Sequence, residues 1–291
     1  MHQLVINTHK RFNSFTRLLS HVKSYDYIFK RILIIVDSDI HYYKKIKKYV
    51  DAVSSGCNKK YYTKHLLNVG GAAARNYAIN NIEDDIEFIS FCDDDDLPFK
   101  LKYTNAIKFL KKNNFCIGYS CSYVRDYGIY TKKIIDEKKI YFHDILNNND
   151  VGGFSFVTLK VQNLKGLKIP VILKSNQDWY LWISLLNINR KFYIYKDQKI
   201  GLLYNDIRNS GRLTTNKNNI SSTYIFYKII EEKFNLSLDS IINYYYYKIL
   251  RQKSFFFLVR LIIVNNKTLK IPRKHINSLL KNHIYKLIPK F

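Results

Sequence analysis

The stretch FISFCDDDDLPFKLKY, residues 88–103, joins an apolar run to an acidic one. Its apolar beginning predicts a buried strand, and four aspartates, Asp93 to Asp96, follow directly. Adjacent carboxylates repel one another and raise each other's pKa unless a cation or strong hydrogen-bond donors lie among them. The run is therefore either a solvated acidic turn or a site that holds a cation.

The residues before this stretch alternate between apolar runs and segments with helical periodicity. Strands are predicted at QLVIN (3–7), RILIIVDSD (31–39) and KKYYTKHLL (59–67). Helices are predicted at 12–25, HYYKKIKKYVDAV (41–53) and GGAAARNYAINNI (70–82). This β-α-β-α order, with strands too continuously apolar to face water, indicates an α/β fold with a mostly parallel sheet.

Polar side chains follow three of the predicted strands, at Thr8, Asp37 and the aspartate run. In open parallel sheets, ligands bind beyond the carboxyl ends of the strands. We therefore expect these groups to converge on one edge of the sheet. Such convergence favours a ligand site over a solvated turn.

The chain is strongly basic, with 48 Lys and Arg against 23 Asp and Glu and a formal net charge of +25. This balance predicts an anionic partner, although a compositionally biased genome would also produce it. The alternative function is a basic nucleic-acid-binding protein or a metal-dependent nuclease. Nucleic acid is the less favoured partner, because no RRM, helix-turn-helix or zinc pattern is visible and four carboxylates would repel phosphate.

Targeting signals are not evident in the sequence. The N-terminal MHQLVINTHKR lacks the apolar segment of a signal peptide, and no apolar run reaches the roughly 18 residues of a spanning helix. The four cysteines form no CxxC pair, which is typical of reduced thiols in the cytosol. We expect a cytoplasmic protein.

The aspartate run contains a D-x-D arrangement at Asp93 and Asp95, and a second frame at Asp94 and Asp96. Carboxylate oxygens suit Mg²⁺ or Mn²⁺, which bind substrate phosphates alongside one or two protein carboxylates. D-x-D alone is a weak signal, so the neighbouring motifs matter. They are NTHKR after the first strand, VDSD after the second, NVGGAAARNYAI before the aspartate strand, and SNQDWYLWISLL farther downstream.

Taken in this order, the motifs resemble those of the inverting nucleotide-sugar glycosyltransferases of family two, over roughly residues 3–190. The resemblance implies the GT-A fold, a Rossmann-like, mostly parallel sheet flanked by helices. It also implies a metal-dependent enzyme of the hexosyltransferase type that uses Mn²⁺ or Mg²⁺. The donor would be a nucleotide sugar such as a UDP-sugar, and the acceptor a bacterial cell-envelope glycan or lipid-linked sugar, as in lipopolysaccharide or capsule synthesis.

The resemblance also implies roles for residues that bind the donor. Thr8 and Asp37 match positions that hold the base and ribose, although VDSD leaves Asp37 and Asp39 as alternatives. Asn68 and Arg75 match the N…ARN segment that binds the nucleotide sugar, in which Arg75 would face the diphosphate or brace the acidic edge. For Arg75, a salt bridge to one of the four aspartates without ligand contact stays open.

Within the aspartate run, Asp93 and Asp94 match positions against the ribose and diphosphate, and Asp95 matches the metal ligand. The frame can be shifted by one residue. Asp178 matches the catalytic base, which removes the acceptor hydroxyl proton as the oxygen attacks the anomeric carbon. A helix cap is the structural alternative for Asp178, since acidic residues stabilise helix starts.

Several neighbouring residues carry weaker predictions. The spacing of Trp179 and Trp182 favours core packing over sugar stacking. Gly152 and Gly153 match the acceptor side of the cleft, with a tight turn equally favoured. Gly70 and Gly71 are interpreted as helix-entry geometry. Farther along, Asp206 and Arg208 lie where the family often has a metal-binding His, which this chain lacks.

The sequence changes character near residue 216. Residues 221–291 hold 13 Lys and Arg against 3 Asp and Glu, interleaved with apolar residues. We expect a catalytic domain over 1–215 and a basic, mainly helical C-terminal region over 216–291. That region is either a helical subdomain covering the sheet or a peripheral contact with the anionic inner membrane.

Overall fold

The computed structural model describes residues 1–55, 60–146, 148–205 and 219–235. Residues Met1–Phe234 form one compact unit. Its strands are β1 (His2–Thr8), β2 (Arg31–Asp37), β3 (Tyr61–Leu66), β4 (Phe88–Asp93), β5 (Leu97–Pro98), β6 (Cys116–Asp126), β7 (Thr131–Ile134), β8 (Lys138–Ile140), β9 (Val157–Lys160) and β10 (Tyr193–Asn205). Its α-helices are α1 (Phe12–Lys23), α2 (Ile40–Ser54), α3 (Gly71–Asn80), α4 (Lys100–Lys112), α5 (Phe142–Ile145), α6 (Gln177–Ile188) and α7 (Asn219–Phe234).

The strands form one sheet in the order β3-β2-β1-β4-β9-β6-β10-β5, with β7 added to β6 and β8 to β10. The first four strands are parallel, as the sequence predicts. Every residue of β1 except Asn7 is buried, and so is the interior of β2, so both faces of this half are covered. This burial explains why the strands are apolar without alternation.

The second half of the sheet mixes directions. Strand β9 is antiparallel to both β4 and β6, whereas β10 runs parallel to β6. The pairing of β10 with β6 shifts register between Asp197 and Ile200 and again before Leu202. Such bulges bend a strand and re-aim its side chains. The sheet is therefore parallel on the N-terminal side and mixed beyond β4.

Parallel pairing aligns the strand ends that matter for the site. Thr8 lies in register with Val36, and Asn7 with Asp93, so β1, β2 and β4 end at the same edge. Helices α1 and α2 pack on one face of this half, where Phe15, Leu18 and Ile46 are buried in the core. The predicted convergence of strand ends is confirmed.

Helix α7 packs against α6. The ring of Phe226 lies 4.9 Å from that of Trp179, and Phe226, Tyr227 and Ile230 are buried. Part of the segment beyond residue 215 thus covers the α/β unit. The remainder of the predicted C-terminal region, and Asp206 and Arg208, lie outside the described residues.

Two further predictions concern the cysteines and membrane-spanning helices. Cys92, Cys116 and Cys121 are free and buried, and Cys57 lies outside the described residues. Within the described ranges, no helix combines the length and the hydrophobicity needed to cross a bilayer.

Candidate active site

The four aspartates of the run contact different parts of the chain, which explains how four adjacent carboxylates are accommodated. Asp93 pairs with Arg75 of α3, and Asp94 and Asp95 pair with Arg11 before α1. Asp96 is buried, and its Oδ1 accepts a hydrogen bond from the backbone N–H of Asn205 at 3.3 Å. Two guanidinium groups and backbone donors therefore offset the mutual repulsion of the carboxylates.

Asp94 is held at the end of β1 by a chain of hydrogen bonds. The Thr8 hydroxyl donates to Asp94 Oδ2 at 2.7 Å, and the His9 N–H donates to the same oxygen at 3.3 Å. Since the Thr8 hydroxyl has one proton, the Tyr42 hydroxyl donates to Thr8, and Tyr42 in turn accepts from the Arg11 N–H. Burial nevertheless raises the pKa of Asp94 to about 7, against the lowering effects of Arg11 and Thr8.

Arg75 connects two segments that are distant in sequence. Its Nη2 donates to Asp93 Oδ1 at 2.7 Å, and its Nη1 donates to Gln177 Oε1 at 2.8 Å. The guanidinium also lies 4.0 Å from the ring centre of Phe154. The small residues Ala74 and Ala78 are buried on α3, which lets the helix approach the sheet closely. The salt bridge predicted as the structural alternative for Arg75 is present.

Asp178 lies in the first turn of α6, next to Gln177. The N-cap of this helix is Asn176, in the left-handed region at φ 59°, so Asp178 is not the cap itself. Its Oδ1 accepts from the Trp179 N–H at 2.8 Å, and its Oδ2 accepts from Asn149 Nδ2 at 3.3 Å. Burial is the largest influence on its pKa, which is raised, and the charge of Arg75 opposes that rise.

The segment 149–153 lies beside Asp178. Asn149 Oδ1 accepts from the Gly152 N–H at 3.2 Å, and Gly152 adopts φ 96°, which a side chain would strain. The indole N–H of Trp182 donates to Gly152 O at 2.8 Å, and that of Trp179 donates to Ile145 O at 2.6 Å. Both tryptophans are buried, as predicted, and the N–H group of Trp182 holds the segment beside Asp178.

Asp37 and Asp39 differ in what they bind. The Asp37 carboxylate accepts from the N–H groups of Val69 and Gly70 at 2.7 and 2.8 Å, whereas Asp39 caps α2 through the Tyr42 N–H. Asp37 therefore fixes the entry of α3, where Gly70 has φ 87°. This geometry agrees with the interpretation of the glycines as helix-entry residues.

Asn68 lies in the same turn. Its side chain is exposed, and its backbone lies in the left-handed region at φ 51°, which Asn tolerates better than most residues. Asn68 thus lies near the end of β3, on the same loop that Asp37 holds. Its role toward a ligand stays a prediction.

Sequence reasoning gave no role to several residues that hold the site. Arg11, Gln177 and Asn149 each bind one of the predicted site residues. Arg11 and Gln177 belong to the motifs NTHKR and SNQDWYLWISLL, so these motifs could have identified both residues as part of the site. No signal identified Asn149, because it precedes the glycines in a segment without periodicity.

The described residues contain no group of three His, Cys, Asp or Glu side chains arranged to hold a metal ion. Asp93 and Asp95 still present hard oxygen donors, and a positive group, Arg11, already binds Asp95. Mg²⁺ and Mn²⁺ do not need a cage of protein ligands, because substrate phosphates and water complete their coordination. The residues fit a cation that binds together with a phosphorylated ligand.

The fold and the site define an α/β protein with an acidic and arginine-containing site at the carboxyl edge of its sheet. Residues 3–160, more than half of the chain, match the family described as Glycosyl transferase family 2. The chain belongs to this family. Membership confirms the glycosyltransferase class predicted from the motifs.

Relatives share only part of their length with this chain. An uncharacterized glycosyltransferase of Rickettsia felis is 30% identical over 131 residues, which are 43% of this chain and 21% of that protein. An uncharacterized glycosyltransferase of Rickettsia conorii is 29% identical over the same shares. The matched stretch is thus about a fifth of these relatives.

Solved structures share the fold at low identity. The crystal structure of S. aureus TarS 1–349 in complex with UDP-GlcNAc has a TM-score of 0.63 and 14% identity, and covers 99% of this chain and 81% of that one. GalNAc-T7 with UDP, GalNAc and Mn²⁺ has a TM-score of 0.54 and 9% identity, and covers 73% and 44%. The chain has the GT-A fold, as the sequence predicts.

Proposed function

We propose that this protein is a metal-dependent glycosyltransferase that moves a sugar from a nucleoside diphosphate donor to an acceptor hydroxyl, with inversion at the anomeric carbon. The observation that carries the proposal is the bridge made by Arg75. One guanidinium binds Asp93 at the end of β4 and Gln177 at the start of α6, beside Asp178. Residues suited to hold a diphosphate and a residue suited to remove a proton therefore share one recess.

The donor would bind along the edge formed by β1, β2 and β4. We assign the base and ribose to Thr8 and Asp37. Arg75 would face the diphosphate, Asn68 would contribute to binding of the nucleotide sugar, and Asp93 and Asp94 would lie against the ribose and diphosphate. TarS has been crystallised with UDP and with UDP-GlcNAc, which makes a UDP-sugar the first donor to test.

The metal would be Mn²⁺ or Mg²⁺, with Asp95 as its ligand. When bound, such a cation supplies positive charge that stabilises the diphosphate leaving group. Arg75 supplies a second positive charge from the protein itself and is already fixed in place.

Asp178 would act as the general base. A base must be ionised to accept the acceptor proton, and the raised pKa makes the carboxylate a stronger proton acceptor than an ordinary aspartate. Asn149 and the Trp179 N–H orient its two oxygens. The segment 149–153 borders this side of the site, which supports its assignment to the acceptor.

The acceptor we propose is a cell-envelope glycan or a lipid-linked sugar, used at the cytoplasmic side of the membrane. This part rests on the resemblance of the motifs and on the basic composition of residues 221–291. Peripheral contact of that region with anionic lipid would bring the enzyme to such an acceptor.

Calorimetry of the purified full chain with UDP, with and without Mn²⁺, tests the proposal. We expect UDP to bind at least tenfold more tightly with Mn²⁺, and Asp95→Asn to abolish this difference. Asp51→Asn, at an exposed surface pair with Lys47, is the matched control for loss of one carboxylate. If UDP bound equally well without metal, metal dependence would be wrong; if no nucleotide or nucleotide sugar bound at all, the enzyme assignment would be wrong.

A further inference from the structure

Arg11 occupies Asp95, the carboxylate that the proposed function assigns to the cation, and also contacts the neighbouring Asp94. Its Nη1 donates a hydrogen bond to Asp95 Oδ2 and lies 3.3 Å from Asp94 Oδ1. Asp94 and Asp95 are only 2% and 7% exposed, whereas the Arg11 side chain is 35% exposed. The arginine thus reaches from the solvent side into an acidic recess.

The two aspartates depend on Arg11 to different extents. Asp94 has further donors in the Thr8 hydroxyl and the His9 N–H. For Asp95, the structure gives a side-chain partner in Arg11 alone among the described residues. Loss of the guanidinium would therefore leave Asp95 with a buried and uncompensated charge, which is costly unless another cation takes its place.

The backbone of Arg11 is fixed independently of its side chain. Its N–H donates to the Tyr42 hydroxyl at 2.9 Å, and its C=O accepts from the Phe15 N–H in the first turn of α1. Arg11 has no side-chain role in capping α1. The guanidinium can therefore leave the aspartates by side-chain rotation alone.

We propose that Arg11 is a built-in competitor of the divalent cation for Asp95. This inference rests on the proposed function and adds the reason why metal and donor bind together. A cation that arrives alone must displace a guanidinium that then has no anionic partner. When a diphosphate is present, the displaced guanidinium has one, so cation and nucleotide each strengthen the binding of the other by the same factor.

Titration of Mn²⁺ into the nucleotide-free full chain, followed by calorimetry or by the paramagnetic signal of free Mn²⁺, tests the inference without measuring transfer. We expect Arg11→Gln to bind Mn²⁺ about tenfold more tightly than the wild type, because a partly exposed ion pair no longer has to be broken. The factor by which UDP strengthens Mn²⁺ binding should fall by a similar amount. Circular dichroism checks that the variant is folded.

Two further variants separate the effect of competition from that of charge. Arg17→Gln removes one positive charge at an exposed position of α1, and its Mn²⁺ affinity should stay within twofold of the wild type. Arg11→Lys keeps the charge but lacks the guanidinium whose Nη1 contacts both carboxylates, so we expect a roughly threefold gain. This variant also serves if Arg11→Gln does not fold.

The outcomes distinguish this inference from the proposed function. If the wild type binds Mn²⁺ with UDP but neither Arg11 variant binds Mn²⁺ more tightly, the competition is wrong and the enzyme assignment stands. If Arg17→Gln gains as much as Arg11→Gln, the effect is one of net charge and the inference is also wrong. A wild type that binds neither Mn²⁺ nor UDP would overturn the proposed function and, with it, this inference.

Discussion

Asp178 carries a thermodynamic cost that follows from its position. Burial raises its pKa in the folded chain above that in the unfolded chain, so folding favours the protonated form. Its contribution is most favourable below the unfolded pKa and is lost as the pH rises through the folded pKa. At neutral pH, an ionised Asp178 therefore lowers the stability of the fold.

Replacing this residue should separate stability from activity. We expect Asp178→Asn to lose transfer by at least about 100-fold, as on removal of a general base, while gaining roughly 2 °C in melting temperature at pH 8. The gain should shrink toward pH 4, where an unperturbed aspartate is already about half protonated. Scanning calorimetry at both pH values measures it, and a variant less stable than the wild type at pH 8 would contradict the cost assigned to the charge.

Two adjacent glycines offer a matched pair of substitutions beside Arg75. A Cβ at Gly71 would lie 2.7 Å from Arg75 Nη1 and 3.1 Å from Gln177 Oε1, whereas a Cβ at Gly70 would meet nothing within 4 Å. Gly70 instead has φ 87°, which costs other residues about 1 kcal/mol. A substitution at Gly71 therefore tests the placement of the Arg75 guanidinium, and one at Gly70 tests the conformation of the backbone.

We therefore expect Gly71→Ala to affect mainly nucleotide binding and Gly70→Ala to affect mainly stability. Gly71→Ala should push Arg75 away from Asp93 and weaken nucleotide binding about tenfold, with little change in melting temperature. Gly70→Ala should lower the melting temperature by a few degrees and keep the nucleotide affinity within threefold. Calorimetry and thermal unfolding measure the two effects, and equal losses of affinity would show that Arg75 is not the cause.

Residues were predictable from the sequence where a motif placed them at a strand end, and not where a distant partner fixed them. Thr8 and Asp94 were expected at one edge, and they share a hydrogen bond. The pairing of Arg11 with Asp95 was not foreseen, because Arg11 lies beyond the end of β1, at the start of α1, where no strand register fixes its position. Asn149 was missed because its segment has no periodicity.

At the scale of elements, α6 holds two loops through its tryptophans. Trp182 donates to Gly152 O, in the segment next to Asp178, and Trp179 donates to Ile145 O, at the end of α5. Replacement of either by Phe keeps an aromatic side chain but removes one hydrogen bond, worth about 1 kcal/mol, together with part of the buried ring. The two replacements cost similar stability but act on different loops.

We expect Trp182→Phe to raise the KM for the acceptor several-fold while leaving the KM for the donor unchanged. Trp179→Phe should lower the melting temperature by a similar amount and leave both KM values near those of the wild type. Steady-state kinetics with each substrate varied in turn would measure the difference. An unchanged acceptor KM in Trp182→Phe would separate segment 149–153 from acceptor binding.

The parallel half of the sheet could be predicted from the sequence, and the mixed half could not. The interiors of β1, β2 and β4 are mainly apolar, without alternation, because both of their faces are buried. Strand β10 instead contains Lys196, Asp197 and Lys199, and its register shifts at this point break any two-residue period. A strand whose bulge re-aims its side chains leaves no simple pattern to detect.

At the scale of the whole molecule, α7 bears on where the catalytic domain ends. The predicted boundary at residue 215 precedes α7, whose Phe226, Tyr227 and Phe234 are buried within the compact unit. Phe226 covers Trp179, one residue from Asp178. A chain ending at 215 would expose this apolar surface to water.

Two truncations would locate the boundary. We expect a chain of residues 1–235 to unfold cooperatively and to bind UDP with Mn²⁺ as the full chain does. A chain of residues 1–215 should melt at least about 5 °C lower or aggregate, because it lacks the cover over α6. Equal melting temperatures for the two truncations would support the boundary at 215.

The contacts of the aspartate run also affect how active enzymes can be identified from sequence within a family. Asp93 and Asp96 join α3 and the end of β10 to the acidic run after β4, so they contribute to folding whether or not a sugar is ever transferred. Natural selection for a folded chain alone would keep them in a descendant that had become a pseudoenzyme. A genome survey that counted every chain with an intact acidic run as an enzyme would then include inactive proteins. Asp178, whose charge costs stability, would be the more informative marker of activity.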